Sequence, residues 1–277
     1  MIELGNYNKL TILRNTSVGL FLGDEDVDDL LLPSKYVPED FEIGQEIEVF
    51  CYLDHEERPI ATTLKPFVKR NGFAYLRVAE VNEIGAFVDW GLEKNLLIPY
   101  REQESRLEAG NWAVVYCYLD EKSFRMVGST RISRHLRKDE PQLSVNEEVT
   151  LLVYRRTELG WEVIVNDGYR GLIFHSDVFR KISAGDSMKG YVKNVRPDKK
   201  LDIVLQPVGL KALEPAADLI YRRLQEEGGY LSLSDASSPE DIRAVFPMSK
   251  KTFKKALGTL YKARKIDLSG DGIRMVK

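Results

Sequence analysis

A 66-residue internal repeat, hydrophobicity that alternates residue by residue, and a change to helical spacing after Pro207 predict a multidomain, mainly β chain. Three tandem five-stranded barrels are expected, followed by a smaller α+β unit. The repeat is plainest at the two cysteines of the 277-residue chain, Cys51 and Cys117, which stand 66 residues apart in FCYLD and YCYLD. The same shift carries Gly19 to Gly85, Phe21 to Phe87, Leu32 to Ile98, Pro33 to Pro99 and Gly44 to Gly110. In EIEVFCYLD, Ile47, Val49, Cys51 and Leu53 alternate with Glu48, Phe50 and Tyr52, the period of a half-buried strand with cysteine as a small core residue. Equivalent positions in neighbouring domains rarely touch, which argues against a disulfide or a shared metal.

Each copy has the same internal order. An alternating strand (NKLTILR, AYLRVAEV) is followed by a glycine turn into a second (VGLFLG, IGAFVDW) and a short third strand ending in proline (LLLP, LLIP). A polar stretch runs to a glycine (FEIG, RLEAG), and the CYLD strand and a final strand (PIATTL, FRMVGST) complete the copy. Five short strands in about 65 residues without a long helix fit a small closed barrel of the oligonucleotide-binding (OB) type. A more divergent third copy covers roughly 144–206, with RTELGWEVIV, GLIFHSDV, SAGDSMKGYVKNV and KKLDIVLQP in corresponding places. Val192 falls seven residues after Gly185, as Cys51 follows Gly44 and Cys117 follows Gly110, so the position reads as core packing. Prolines at 66, 141 and 207 punctuate the copies and set expected domains of 1–66, 67–140, 141–207 and 208–277. The linkers are short, so the modules should sit like beads with limited freedom.

After Pro207 the pattern changes. LKALEPAADLIYRRLQEEGG reads as a helix closed by paired glycines, with Pro215 leaving its start open. YLSLSD is a short strand, and Ser238 can cap a helix whose first turn holds Pro239, Glu240 and Asp241. SKKTFKKALGTLYKARK is a further helix, with Phe253, Leu257, Leu260 and Tyr261 at core spacing, and KIDLSGDGIRMVK is a hairpin around SGDG. Together these make a winged helix-turn-helix.

Charge is uneven. Residues 1–66 carry 5 basic and 14 acidic groups, whereas residues 209–277 carry 13 basic and 9 acidic, within an overall charge of −3. The acid concentrates in GDEDVDD, which lacks the calcium-loop pattern and reads as a solvated loop. No apolar run is long enough for a membrane helix, and MIELGNYNKL lacks a signal-peptide pattern, so a cytoplasmic protein with no membrane partner is expected. The three histidines, His55, His135 and His175, lie in different segments without ligand spacing, and no phosphate-cradling glycine loop is present. Neither catalysis, a metal nor a cofactor is expected.

VNEIGAFVDW with LLIP, and GLIFHSDV with AGDSMKGYVKNV, resemble the S-one RNA-binding repeat. Three such repeats before a winged helix containing MSKKTFKKALGTLYK resemble the conserved virulence factor B family of bacterial RNA-binding proteins, over nearly the whole chain. The resemblance implies RNA lying across the second and third strands, on exposed aromatics beside basic groups. Those positions are Phe87 in the second repeat and Phe21 in the first. In the third, Glu162 stands there, preceded by Trp161; Phe174 fills the family's histidine position, with His175 next to it. Pro33 and Pro99 hold that histidine position in the first two repeats, a departure from the family's pattern.

The residues themselves add Tyr75 and Arg77, on the preceding strand at one parity, and Tyr154, Arg155 and Arg156 in the third barrel. Core packing stays open for Phe87 and Trp161, and plain surface for the cations. Lys250, Lys251, Lys254 and Lys255 cluster on the last helix, either as a solvated face or as phosphate contacts. The expected partner is single-stranded RNA, in a regulatory role in gene expression. Duplex DNA at the winged helix and a basic protein partner at the acidic first module are the alternatives.

Overall fold

The computed structural model describes residues 2–24, 29–207, 213–269 and 272–276. Residues 25–28 of the acidic GDEDVDD loop, residues 208–212 and residues 270–271 of SGDG lie outside the described residues. The chain divides into two compact units, 1–136 and 137–277.

The first unit holds two barrels. Barrel 1 comprises β1 (Tyr7–Thr16), β2 (Gly19–Gly23), β3 (Leu30–Pro33), β4 (Glu46–Leu53) and β5 (Pro59–Thr62), closed in the order β1-β2-β3-β5-β4. Barrel 2 repeats it with β6 (Gly72–Val81), β7 (Gly85–Asp89), β8 (Leu96–Pro99), β9 (Trp112–Leu119) and β10 (Met126–Ser129). Antiparallel pairs make each wall, and one parallel pair, β3–β5 or β8–β10, closes it. A bulge sits at the same place in the first strand of each barrel, between Ile12 and Arg14 and between Val78 and Glu80. The extra residue bends the strand so that it can pair on both sides of so small a barrel.

Two glycine positions explain the spacing of the repeat. A Cβ on Gly19 would lie 2.1 Å from the Leu32 carbonyl oxygen, and one on Gly85 2.4 Å from that of Ile98, so the second strand can start only where no side chain exists. Gly44 and Gly110 turn the chain into the fourth strand at φ +89° and +87°, the left-handed region that glycine enters without strain.

Inside the barrels the alternation holds. Leu10, Ile12, Leu22, Val49 and Cys51 fill barrel 1, while Leu76, Val78, Val88, Val115 and Cys117 fill barrel 2. Both cysteines are free thiols, each buried in its own barrel, and burial pushes both up to about 12. On β4 the other parity is buried as well: Phe50 and Tyr52 point out of barrel 1 and belong to the apolar cluster of barrel 2. Phe50 meets Trp90 edge to face at 5.9 Å, and Lys35 pairs with Glu93 at 2.5 Å. The two barrels are therefore welded through a shared core, which further restricts the limited freedom that the short linkers implied.

The second unit starts with barrel 3: β11 (Glu148–Arg156), β12 (Gly160–Val165), β13 (Tyr169–Phe174), β14 (Ser187–Val195) and β15 (Leu201–Val204). It keeps the bulge, between Val153 and Arg155, and the crowded glycine: a Cβ on Gly160 would lie 2.0 Å from the Ile173 oxygen. Val192 occupies the core place that cysteine holds in the other barrels.

The winged helix-turn-helix follows as α1 (Leu213–Glu226), β16 (Tyr230–Leu231), α2 (Pro239–Val245), α3 (Lys250–Lys262), β17 (Ile266–Ser269) and β18 (Gly272–Met275). Its sheet runs β16-β18-β17. Ser238 caps α2 reciprocally with Asp241. The face of α3 against α1 is Phe253, Ala256, Leu257 and Leu260. Tyr261, expected on that face, is 53% exposed, because the stripe closes at Leu260 and the next position rotates to the edge.

Candidate nucleic-acid interface

The outer face of the second and third strands differs among the three barrels. In barrel 2 the residue beyond Ala86 is Phe87, half-buried on the outside of β7 and paired across to Leu97 of β8. It lines a cleft of about 250 Å³ with Ile84, Leu97 and Trp90. The cleft also reaches Tyr52, Leu53 and His55 of barrel 1. The turn between β7 and β8 is held by Trp90, whose Nε1 donates to the Lys94 carbonyl at 2.6 Å.

Tyr75 and Arg77 do not line this cleft. Tyr75 is half-buried and stacks on Trp112 of β9, with ring centroids 5.3 Å apart and an interplanar angle of 27°. Arg77 is exposed beside them, in register with Trp112 on one side and Asp89 on the other. Barrel 2 thus carries two aromatic places on its outside, one at Tyr75, Trp112 and Arg77 and one at Phe87. Trp112 was readable from parity, since it stands an odd number of positions before the inward Cys117. Trp90, Lys94 and Arg125 join the site only through the way the barrels meet.

In barrel 3, Glu162 takes the place of the aromatic and is almost fully buried. Tyr154 donates to its Oε2 at 2.8 Å, Arg155 Nη2 donates to the same oxygen at 2.6 Å, and Arg170 holds Oε1. Burial acts to raise the Glu162 pKa, but the hydrogen bonds from Arg170, Tyr154 and Arg155 outweigh it and hold the carboxyl below its ordinary range. Arg155 is consequently tied to Glu162. Trp161 packs against the core of barrel 3, with the Arg156 guanidinium 6.0 Å from its ring centroid.

Phe174 is half-exposed, with Lys193 Nζ and the Arg196 guanidinium 5.9 and 5.6 Å from its centroid. Next to it, His175 Nε2 donates to the Thr157 carbonyl at 3.0 Å. A recess of about 370 Å³ beside Glu162 is lined by Arg170, Arg196 and Lys200, none of which stood out in the sequence. Arg170 was legible by alternation with the inward Gly171; Arg196 and Lys200 flank a turn whose direction sequence does not give.

In barrel 1, Phe21 is half-buried under the Arg14 guanidinium, 4.3 Å from its centroid, and Arg14 is paired with Asp29 at 2.5 Å. The adjoining recess includes Asp29, Asp54 and Arg58. This face presents carboxylates where barrel 2 presents rings.

On the winged helix the four lysines separate into two pairs. Lys250 Nζ donates to the Ala236 carbonyl at 3.2 Å, and Lys254 lies 3.8 Å from Asp235. Lys251 and Lys255 are exposed and make no ion pair among the described residues. They flank the start of α3, where Ser249 caps the Thr252 amide and the helix end is electropositive.

Residues 4–64 match the S1 domain family, and residues 218–275 match the CvfB-like winged helix domain. The Bacillus subtilis protein YitL is 33% identical over 95% of this chain and 90% of its own. Conserved virulence factor B of Staphylococcus epidermidis is 26% identical over 86% of this chain and 83% of its own. A Streptococcus pneumoniae crystal structure, described as a multidomain protein with nucleic acid binding domains, is 27% identical, covers 99% of this chain and 98% of its own, and superposes with a TM-score of 0.45. Among the described residues no helix is long and apolar enough to cross a membrane.

Proposed function

The chain belongs to the conserved virulence factor B family, and from that premise we propose that it binds single-stranded RNA through the outer face of barrel 2. Its S-one and winged-helix domains indicate nucleic-acid binding; the choice of RNA, the sites and a regulatory role in gene expression are the finer reading. The observation that carries it is the pairing of rings and a cation on one barrel: Phe87 at one place, and Tyr75 stacked on Trp112 beside Arg77 at another. Flat rings stack on bases whatever their identity, and cations follow the phosphates, so such a surface suits an unpaired strand. Barrel 3 adds the cation-flanked Phe174 and the recess of Arg170, Arg196 and Lys200. The domains 1–66, 67–140, 141–207 and 208–277 act in series, with linked modest sites raising the overall affinity through effective concentration.

The test titrates the full chain with fluorescent single-stranded RNA, single-stranded DNA and duplex DNA at two salt concentrations. Tightest binding to RNA, weakening steeply with salt, is the expected result. Preference for duplex DNA, abolished by Lys251→Ala with Lys255→Ala, defeats it in favour of a winged-helix DNA-binding regulator. That second reading draws on the two lysines left open at the capped start of α3.

A further inference from the structure

Barrel 1 has the wrong charge to hold a nucleic acid on its own face, yet it borders the cleft that contains Phe87. One wall of that cleft is Ile84, Phe87 and Leu97 of barrel 2; the other is Tyr52, Leu53 and His55 of barrel 1, with Trp90 between them. The walls are fixed relative to each other by the shared core around Phe50 and Tyr52, by the Lys35–Glu93 pair, and by Lys94 Nζ, which donates to the Asp54 carbonyl at 2.6 Å. A preformed cleft loses little conformational freedom when it is filled.

We propose that the cleft between the first two barrels takes a single unstacked nucleobase of the bound strand, with barrel 1 supplying one wall. The idea rests on the reading of barrel 2 as the RNA-binding face. Three observations select this occupant. The volume of about 250 Å³ lies below the roughly 300–1,000 Å³ of sites for drug-sized ligands and suits one flat heterocycle, not a stacked run. The lining is mainly aromatic and aliphatic and includes two cations, Lys94 and Arg125, beside the carboxylate of Glu57. Arg125 is paired across the cleft with Glu57, an exposed pair that a phosphate can replace at small cost.

Asn95 is among the residues lining the cleft, and its side chain makes no hydrogen bond among the described residues. An asparagine amide offers one donor and one acceptor side by side, and every base has an edge that presents an acceptor beside a donor, so Asn95 can anchor an unpaired base without selecting its identity. Barrel 1 contributes to recognition as a wall, not as a platform.

The experiment uses the full chain with fluorescent oligo(A), oligo(U) and oligo(C), comparing the parent with Asn95→Ala and His55→Ala, both outside the barrel cores, and with Arg77→Ala as a phosphate-contact control. Thermal melts confirm that each variant is folded. Asn95→Ala is expected to weaken binding of oligo(A), oligo(U) and oligo(C) alike by roughly three- to tenfold. His55→Ala, a change in barrel 1, should weaken all three strands by about twofold or more with the salt dependence unchanged, whereas Arg77→Ala should flatten the salt dependence. If the parent binds RNA and Arg77→Ala weakens it, while Asn95→Ala and His55→Ala leave every affinity unchanged, the cleft holds no base and this proposal alone falls. If the parent binds no single-stranded RNA, the reading of barrel 2 falls with it.

Discussion

Phe87 and Glu162 occupy the same place in two copies of one barrel, two residues after the crowded glycine that starts the second strand. One is a half-buried ring facing a cleft; the other is a carboxylate enclosed by Tyr154, Arg155 and Arg170. The inner wall hardly changes between them, since both barrels close with the same strand order and the same bulge. Fold and surface chemistry are thus set by opposite parities of the same strands. A barrel can lose its stacking ring without losing its architecture, provided the substitute finds partners, as Glu162 does.

The largest expected effect tests that proviso. Glu162→Ala removes the carboxylate that Tyr154, Arg155 and Arg170 share in barrel 3. A fully buried broken pair costs about 3–5 kcal/mol, and the partial exposure of both arginines reduces the expected loss to about 2 kcal/mol in a denaturant titration. Because folding depresses the Glu162 carboxyl, its contribution is complete at neutral pH and is lost as pH falls through the folded pKa, below an ordinary glutamate value of about 4.3. Melts of the parent from pH 6 to pH 3 should show the loss, and Glu162→Gln should remove that part of it.

Next in size is the ring itself. Phe87→Ala should weaken single-stranded RNA binding by about 1–3 kcal/mol, whereas Phe21→Ala should change it by less than the assay resolves, since Phe21 is already covered by Arg14 on an acidic face. Equal effects of the two substitutions break the contrast between barrels 1 and 2. A smaller effect is expected on the winged helix. Each of Lys251→Ala and Lys255→Ala should lower the salt slope by about 0.7 on a single strand, more than Lys250→Ala or Lys254→Ala, whose ammonium groups already lie against Ala236 and Asp235.

The smallest effect concerns the inner wall. Barrel 3 carries Val192 where barrels 1 and 2 carry cysteine, so Cys117→Val should cost less than about 1.5 kcal/mol by thermal melting. Iodoacetamide should leave both native thiols unlabelled at pH 8, because burial has pushed them up to about 12, and should label both in denaturant.

Much of the fold was legible because periodicity is local. The alternation around Cys51, the glycines at 19, 85 and 44, and the change to helical spacing all report on a residue's immediate neighbours. The candidate site was legible only in part. Phe87 follows from the family resemblance and Arg77 from parity, but neither says that the two face different places. Trp161 sits against the core and Tyr261 at the helix edge for the same reason: spacing gives a side, not the depth at which the side is covered.

By itself the sequence determined three copies of a small barrel and a winged helix, because hydrophobic period, turn glycines and helix caps act over a few residues. Only the tertiary structure decided that Phe50 and Tyr52 weld two barrels together and that a cleft opens between them. Those outcomes depend on which outward faces meet across long sequence separations, and no local pattern encodes that meeting.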